Sequence, residues 1–251
     1  MNPNSQRVVA VTGGTRGIGR AVAELFLERG DAVAVCSRSP RDPSLPRAIR
    51  HCQLDVRRRD TVQQFVDMVV QECGSLDVFV NCAGVSRWRP IEEIDEAFVE
   101  EVIDTSLRGT LWGCAAASTA LADGGCIVNV SSLAGKRGSA NNSAYCAAKF
   151  AVNGITQALA KELGPRGIRI NAVCPVYVET AEILSALSEP SAPSLGQPVQ
   201  AYLASFASTQ TALGRLPTAQ DVAEVVYFLV SPAASAITGQ CVNVDCGTFP
   251  Q

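Results

Sequence analysis

The sequence feature that most constrains the fold is a glycine-rich turn placed between a predicted strand and a predicted helix. The apolar run from Arg7 to Thr12 predicts a buried strand, and a helical pattern follows from Arg20 to Arg29. Between them lies Gly13-Gly14-Thr15-Arg16-Gly17-Ile18-Gly19. Glycines let a backbone approach a pyrophosphate closely, and the charge of that group then meets the helix N-terminus. The order of strand, turn and helix predicts a dinucleotide-binding α/β fold; the alternative is a tight turn without a ligand.

A second motif lies on a later predicted helix. Tyr145 and Lys149 are four residues apart, so the phenol and the ammonium lie on one helix face. A cation within about 4–6 Å favours a phenolate and would bring the tyrosine pKa, ordinarily roughly 10, toward neutrality. Ser132, which follows the apolar run from Gly125 to Val130, could hold a substrate oxygen. Most Tyr/Lys pairs at this spacing are surface contacts, so the motif gains its weight from the glycine turn.

The length, charge and hydropathy of the chain indicate how many domains it has, which partners are disfavoured and where the protein is located. The chain has 251 residues without a linker or repeat, so we expect one domain over residues 1–251. The net charge is −3 and the basic residues are scattered, which disfavours nucleic acid and anionic membranes as partners. No apolar run approaches the roughly 20 residues of a membrane helix, and the polar start from Met1 to Arg7 does not resemble a signal peptide. These features predict a soluble, cytoplasmic protein.

Cysteine and histidine usage limits the chemistry. The ten cysteines are dispersed and form no CxxC pair, which favours reduced, buried thiols. The only histidine is His51, so a Ser-His-Asp triad could use no other, and a His-rich zinc site is excluded. We therefore predict no metal site.

Taken together, the motifs point to a known family. The TGGxxGIG turn, Asn81-Cys82-Ala83-Gly84, the serine at position 132 and the YxxxK pair resemble, in this order, the short-chain dehydrogenase/reductase family over nearly the full length. The 3-oxoacyl-carrier-protein reductases are similar members. The resemblance implies a single Rossmann-type domain, in which helices cover both faces of a doubly wound parallel sheet of about seven strands. It also implies a substrate lid at about residues 181–214 and a homo-oligomer, either a dimer or a tetramer.

The residues after the second predicted strand indicate the cofactor. Ala32 to Cys36 is followed by Ser37 and Arg38, with no carboxylate. An acid would accept hydrogen bonds from a ribose 2′-hydroxyl, whereas an arginine pairs with a 2′-phosphate. Arg16 could add a second contact to that phosphate, so NADP(H) is favoured. The alternative is that Arg38 is only solvated and that Asp42 serves NAD.

The resemblance implies further cofactor contacts. Asp55 would bind the adenine amino group beside the Val56 backbone, although Asp55 could instead cap the helix predicted from about Arg58 to Cys73. Thr180 would meet the nicotinamide carboxamide, helped by the Val178 backbone. The predicted cofactor set is Gly13, Thr15, Arg16, Gly17, Ile18, Gly19, Ser37, Arg38, Asp55, Val56, Asn81, Ala83, Gly84, Tyr145, Lys149, Pro175, Val178 and Thr180.

For catalysis, the resemblance implies that Ser132 and Tyr145 bind the substrate carbonyl, that Tyr145 donates a proton, and that Lys149 lowers the tyrosine pKa and holds the nicotinamide ribose. Ser106 stands where relatives have asparagine, and it is kept as a possible fourth member. Val176 replaces a glycine, so either the loop takes another path or the site differs from the usual one.

Two segments indicate how the cleft is bounded. Residues 39–46 contain three prolines, which predicts a loop where relatives have a helix. Arg87-Trp88-Arg89 could hold a carboxylate, a phosphate or a pantetheine arm, or could be surface decoration. The lid segment is rich in Ser, Ala and Pro and holds few charges, which predicts a mobile lid and a neutral, partly apolar substrate.

The predicted function is NADPH-dependent reduction of a ketone to a secondary alcohol, with 3-oxoacyl thioesters or small and cyclic ketones as the substrate class. Three alternatives stay open. They are alcohol oxidation in the reverse direction, a cofactor-binding sensor or scaffold with little activity, and a lyase or isomerase that uses the same tyrosine.

Overall fold

Seven parallel strands form the centre of the structure, a computed structural model that describes residues 6–250. The first five residues, on which much of the signal-peptide prediction rests, lie outside this range. The strand order is β3-β2-β1-β4-β5-β6-β7, so the order reverses between β1 and β4. In open parallel sheets, ligands bind at such a reversal, beyond the carboxyl ends of the strands. The strands are β1 (Val8–Thr12), β2 (Ala32–Ser37), β3 (Arg50–Gln53), β4 (Val78–Asn81), β5 (Cys126–Val130), β6 (Arg169–Pro175) and β7 (Cys241–Val244).

Helices cover both faces of the sheet because the strands carry apolar side chains on both faces. The α-helices are α1 (Gly17–Glu28), α2 (Arg59–Cys73), α3 (Glu96–Val99), α4 (Gly109–Ala120), α5 (Ser143–Leu163), α6 (Ala181–Leu187), α7 (Val199–Gln210) and α8 (Ala219–Val230). Along β1, Val9 and Val11 pack against α1 and α8, while Val8 and Ala10 pack on the opposite side with α2 and α4. This arrangement confirms the predicted single Rossmann-type domain with a parallel sheet of seven strands.

The helical stretch between Glu96 and Ala120, for which the sequence pattern from Asp95 to about Ala122 predicts one long helix, is not uniform. A π-helical segment, Glu100–Arg108, joins α3 to α4. Hydrophobic periodicity does not separate a π segment from the α-helix around it, because the two differ by a fraction of a residue per turn. Ser106 lies in this segment.

The connection between β2 and β3 contains no helix, as the prolines predict. The Arg41 guanidinium donates to the carbonyl oxygens of Ile49 at 2.7 Å, Pro46 at 2.7 Å and Leu45 at 3.2 Å. Leu45 and Ile49 are buried in the core beside α1. The Arg41 side chain therefore donates to backbone carbonyl oxygens that, in a helix, would accept hydrogen bonds from the N–H groups of the helix itself.

The small residues of α4 allow close packing on the sheet. A Cβ at Gly113 would overlap Oδ1 of Asn81 and lie 2.9 Å from Cε1 of Phe79. The absence of a side chain at Gly113 therefore brings α4 directly over β4.

The predicted lid segment contains two helices, α6 and α7. A small apolar cluster lies between them, in which Trp88 packs with Leu187, Ala192 and Leu203. Proline and serine, which favour loops, are concentrated between α6 and α7. This composition predicts a loop, and the two helices therefore could not be predicted from the sequence.

Two further observations bear on the sequence predictions. Over the described range, no helix has the length and apolarity needed to cross a membrane. All ten cysteines lie within that range and are free thiols.

Candidate active site

A cleft of about 1030 Å³ lies along the carboxyl edge of the sheet and passes beneath the lid segment. It collects most of the residues that the sequence predicts for the site. The predicted residues that line it are Gly13, Thr15, Arg16, Gly17, Ile18, Gly19, Ser37, Arg38, Val56, Ala83, Gly84, Ser132, Tyr145, Lys149, Pro175, Val178 and Thr180. Asp55, Asn81 and Ser106 are not part of this lining.

The glycine turn forms one end of the cleft and has the tight geometry that its sequence requires. Gly13 has φ of +67°, and its N–H donates to the Cys36 carbonyl at 2.8 Å. A Cβ on Gly13 would lie 2.9 Å from Cα of Ala83, and one on Gly19 would overlap the Gly13 carbonyl. The turn then enters α1 at Gly17, where helix N–H groups point outward. Such a cradle fits the pyrophosphate of a dinucleotide.

Arg38 lies in the lining at the end of β2, and the two nearby acids are engaged elsewhere. The Asp42 carboxylate accepts hydrogen bonds from the Ser44 N–H at 2.8 Å and from the Ser44 hydroxyl at 2.7 Å. Asp55 accepts from the Arg57 guanidinium at 2.6 and 2.8 Å, and this partner lowers the pKa of Asp55 against the opposing effect of burial. Asp55 does not cap α2, whose N-cap residue is Arg58.

Arg16 is turned toward the lid segment. Its Nε lies 2.9 Å from Oε1 of Glu182 in the first turn of α6. The pair is exposed, because 65 % of the Arg16 side chain and 40 % of the Glu182 side chain are accessible. The second arginine predicted for a 2′-phosphate thus bridges the glycine turn and the lid segment in this structure.

The catalytic candidates meet at the centre of the cleft. Ser132 follows β5, and its Oγ accepts from the Ala134 N–H at 3.1 Å and hydrogen-bonds to the Tyr145 hydroxyl. Lys149 is one helical turn after Tyr145, and its Nζ lies 5.6 Å from the centre of the tyrosine ring. The same Nζ donates to the Val130 carbonyl at 2.8 Å. The structure therefore brings Ser132, Tyr145 and Lys149 together.

The electrostatics of the tyrosine differ from the prediction. Burial raises the pKa of Tyr145 to about 12, against smaller lowering effects from hydrogen bonds with Ser132 and Ser86. The Lys149 ammonium lies 5.6 Å from the centre of the ring and donates to the Val130 carbonyl, and the effect of burial on the phenol prevails. Burial also lowers the pKa of Lys149 to about 8. At neutral pH the tyrosine is thus a phenol that can donate a proton, and the lysine is mostly an ammonium.

A chain of buried amides and hydroxyls holds α5 against the sheet. Nδ2 of Asn81 donates to Oδ1 of Asn129 at 2.9 Å, and Nδ2 of Asn129 donates to Oγ1 of Thr156 on α5 at 2.9 Å. Thr156 in turn donates to the Val152 carbonyl at 2.9 Å. Asn81 thus links β4 to β5, and through Asn129 to the helix that carries Tyr145 and Lys149. This position explains why Asn81 lies outside the cleft lining.

Ser106 acts on the backbone of the loop after β4. Its Oγ accepts from the Val85 N–H at 3.1 Å and donates to the Val85 carbonyl at 3.3 Å, while the Ser106 carbonyl accepts from the Thr110 hydroxyl at 2.9 Å. The Ser106 side chain is fully buried. It therefore positions the loop that contains Ser86, which hydrogen-bonds to Tyr145.

At the other wall, Val176 lines the cleft, and its φ is not among the positive values of the described residues. The loop therefore does not need a glycine at this position. Thr180 lines the cleft too, and its Oγ1 caps α6 by accepting from the Ile183 N–H at 3.3 Å.

The segment Arg87-Trp88-Arg89 is not an open anion site. The Arg87 guanidinium pairs with Glu101 at 2.9 Å and with Glu189 at 3.0 Å, and the Glu101 hydrogen bond is the main cause that raises its pKa. Arg89 stacks over Phe98 at 4.5 Å and lies 3.6 Å from Asp95. Trp88 is buried in the apolar cluster of the lid segment.

Several residues of the site could not be found by sequence reasoning. Glu101, Glu182 and Glu189 belong to no motif, and their spacing along the chain gives no signal because the π-helical segment and the lid segment bring them to the cleft. Ser86 belongs to the predicted rim of the cleft from Val85 to Pro90, but its spacing does not indicate that it lies beside Tyr145. Thr105 also lines the cleft, and its buried hydroxyl has no partner among the described residues. Within residues 6–250, no group of three or more His, Cys, Asp or Glu side chains is placed to hold a metal ion.

Comparison with known proteins agrees with this geometry. A family model described as "Enoyl-(Acyl carrier protein) reductase" matches residues 13–248. The chain is 38% identical to cis-4-hydroxycyclohexanecarboxylate dehydrogenase of Sinomonas cyclohexanicum, covering 97% of this chain and 96% of that protein. It is 35% identical to diacetyl reductase [(S)-acetoin forming] of Staphylococcus aureus, covering 97% and 98%. Among solved structures, aldohexose dehydrogenase of Thermoplasma acidophilum superposes with a TM-score of 0.88 at 32% identity, covering 98% of each chain.

The glycine turn, the Ser132–Tyr145–Lys149 group and the seven-stranded sheet thus occur in one chain with relatives that match it over nearly their whole length. This protein belongs to the short-chain dehydrogenase/reductase family and is an oxidoreductase of that family.

Proposed function

We propose that this protein is an NADPH-dependent reductase that converts a ketone to a secondary alcohol. The observation that carries the proposal is that Ser132, Tyr145 and Lys149 line one cleft, which continues to the glycine turn and Arg38. Two hydroxyls directed at one point can both donate to a carbonyl oxygen as negative charge develops on it.

Tyr145 and Lys149 have separate roles in the proposed reaction. Tyr145 is a phenol at neutral pH, because burial raises its pKa to about 12, and it is the donor of the proton that the alcohol oxygen receives. Lys149 is held by the Val130 carbonyl at the floor of the cleft, where its charge favours the developing oxyanion and its N–H groups suit ribose hydroxyls. The cofactor supplies the hydride.

The choice of NADPH over NADH is supported by the end of β2. Arg38 lines the cleft, and no ion-pair partner for it occurs among the described residues. Asp42, the nearest acid that could bind a 2′-hydroxyl, is engaged by Ser44. A guanidinium in this position suits a 2′-phosphate.

The names of two relatives support the substrate class and the direction. One is a dehydrogenase of a hydroxycyclohexanecarboxylate, and the other is a diacetyl reductase that forms (S)-acetoin. We therefore propose small or cyclic ketones as substrates. Oxidation of the corresponding alcohol is the same reaction in reverse.

We also propose that the protein forms dimers or tetramers. Leu111 on α4 is 38% exposed and Phe150 on α5 is 48% exposed, and large apolar side chains at a surface favour association. Light scattering coupled to size exclusion tests this proposal.

The experiment that tests the function is a screen of the purified protein with NADPH against neutral ketones, keto acids and 3-oxoacyl thioesters. Loss of NADPH absorbance with at least one small ketone, and a product identified as the secondary alcohol, is the expected result. Tight binding of NADPH without consumption across the whole panel would contradict the proposal and favour a sensor or scaffold.

A further inference from the structure

Two ion pairs that share one arginine form part of the cleft wall next to the catalytic residues. We refer to the three residues, Arg87, Glu101 and Glu189, as the clasp. Nη1 of Arg87 lies 2.9 Å from Oε2 of Glu101, and Nε of Arg87 lies 3.0 Å from Oε1 of Glu189. All three side chains line the cleft, and about a third of each is exposed. The clasp joins the loop after β4, the π-helical segment and the lid segment.

The clasp lies beside the reacting groups. Arg87 directly follows Ser86, whose hydroxyl hydrogen-bonds to Tyr145. The same wall carries Tyr177 and Phe206, whose rings pack edge to face with centroids 4.9 Å apart. A substrate held by Ser132 and Tyr145 therefore meets aromatic surface and the clasp.

The charges of the clasp do not balance. Two carboxylates face one guanidinium, so the clasp itself has an excess of one negative charge. The cleft lining also holds cations outside the clasp, among them Lys149, whose ammonium donates to the Val130 carbonyl, and Arg137, which is exposed and stacks over Phe249 at 5.6 Å. Water and salt screen an exposed charge more strongly than a half-buried one.

We infer that the cleft selects uncharged carbonyl compounds, and that Glu101 and Glu189 exclude a carboxylate from the substrate by engaging Arg87 and adding negative charge. This inference rests on the proposed reduction of ketones and narrows its substrate class. A guanidinium without these partners would be a good carboxylate receptor, since it offers a planar pair of N–H donors. The two glutamates are thus specificity-determining residues, which act on the substrate through charge.

The test compares two ring ketones of one skeleton, a cyclohexanone that carries a carboxylate and the same cyclohexanone with a carboxamide. In the unmodified protein, kcat/KM for the amide should exceed that for the acid, and the ratio should shrink as salt concentration rises. In the Glu101→Gln/Glu189→Gln variant the ratio should fall by about tenfold or more, because Arg87 becomes free to pair with the acid. Adding Arg87→Gln to that variant should remove the gain.

The control for Glu101→Gln is Glu100→Gln, which removes one negative charge from the neighbouring residue of the π segment. Glu100 is exposed and lies outside the cleft lining, so the ratio should stay unchanged. Because both ketones use the same lid segment and the same catalytic groups, any general effect of the substitutions on closure or folding cancels in the ratio.

A preference of the unmodified protein for the acid, or a ratio that does not change in the double variant, would overturn the inference. If neither ketone consumes NADPH, calorimetric binding of cyclohexanecarboxylate and cyclohexanecarboxamide decides the inference, and the proposed function is judged separately by the full ketone panel. Tighter binding of the amide by the unmodified protein and of the acid by the double variant would support it. Equal or reversed affinities would refute it.

Discussion

Nζ of Lys149 donates to the carbonyl oxygen of Val130 at 2.8 Å, which fixes the ammonium at the end of β5, next to the strand end that presents Ser132. The lysine is buried, and this burial lowers its pKa from 10.5 to about 8. A carbonyl oxygen compensates only part of the hydration that the ammonium loses. The position of the charge is therefore maintained at a cost to stability.

That cost predicts a pH dependence of folding. Between about pH 8 and pH 10 the unfolded chain holds a proton on Lys149 that the folded chain has released, so this residue makes the free energy of unfolding rise with pH. Above about pH 10 the raised pKa of Tyr145 acts in the opposite direction, because the folded chain then keeps a proton that the unfolded chain loses. Urea unfolding of the unmodified protein and of Lys149→Met at a series of pH values measures the difference. A difference that does not change between pH 8 and 10 would contradict the assigned pKa.

Tyr145→Phe should lower kcat by about 10²- to 10⁴-fold, the usual contribution of a positioned general acid. The affinity for NADPH, measured by fluorescence titration, should change little because the ring and Lys149 stay in place. Ser132→Ala is the companion variant, in which the phenol keeps its proton but one donor to the carbonyl oxygen is lost. Substantial turnover by Tyr145→Phe would remove the tyrosine from the role of acid.

Arg38→Asp should shift the cofactor preference from NADPH toward NADH. The guanidinium would no longer meet a 2′-phosphate, and the new carboxylate would repel that group and accept from a 2′-hydroxyl. The ratio of the two dissociation constants is the measurement, and Arg47→Asp, at an exposed position outside the cleft lining, is the charge-matched control. An unchanged ratio in the Arg38 variant would disprove the 2′-phosphate assignment.

Gly113→Ala should destabilise the protein by about 1–3 kcal/mol, because the new methyl group would overlap Oδ1 of Asn81 and force α4 away from the sheet. Gly154→Ala on α5 is the control, since no atom lies within 4 Å of its Cβ position and its φ is not positive. That control should be neutral or stabilising by roughly 1 kcal/mol, as expected for alanine in a helix. Thermal or urea unfolding compares the two, and equal effects would argue against the close contact with Asn81.

Ser106→Ala should lower both stability and turnover. It leaves the Val85 N–H buried without its partner at a cost of about 1–3 kcal/mol, and it loosens the loop that carries Ser86 and Arg87. Ser118→Ala on α4 should have little effect, because the hydroxyl of this half-buried serine bonds only to the Ala115 carbonyl of its own helix. If Ser106→Ala retains full kcat and KM, the serine has no role in positioning the catalytic loop.

The sequence predicts those features of the structure that depend on residues close together in the chain, and it does not predict contacts between residues far apart. The glycine turn and the Tyr145–Lys149 pair are short segments whose geometry follows from helix and strand periodicity, and the structure brings them to one cleft. The pKa of Tyr145 is raised where the spacing predicts a lowered one, because spacing places Lys149 near the ring but does not reveal how deeply the phenol is buried. Likewise, the Arg87–Glu101–Glu189 clasp joins residues 14 and 102 positions apart in the chain, and no local pattern encodes such contacts.

The short connection after β2 bears on how the protein could be modified. Arg41 alone ties together the carbonyls of Leu45, Pro46 and Ile49, and only Leu45 and Ile49 anchor this connection in the core. Extra residues placed between Arg38 and Arg41 would extend outward without displacing any strand. A peptide tag or a fluorophore could thus be inserted beside the nucleotide end of the cleft, where it would report on occupancy without touching Tyr145.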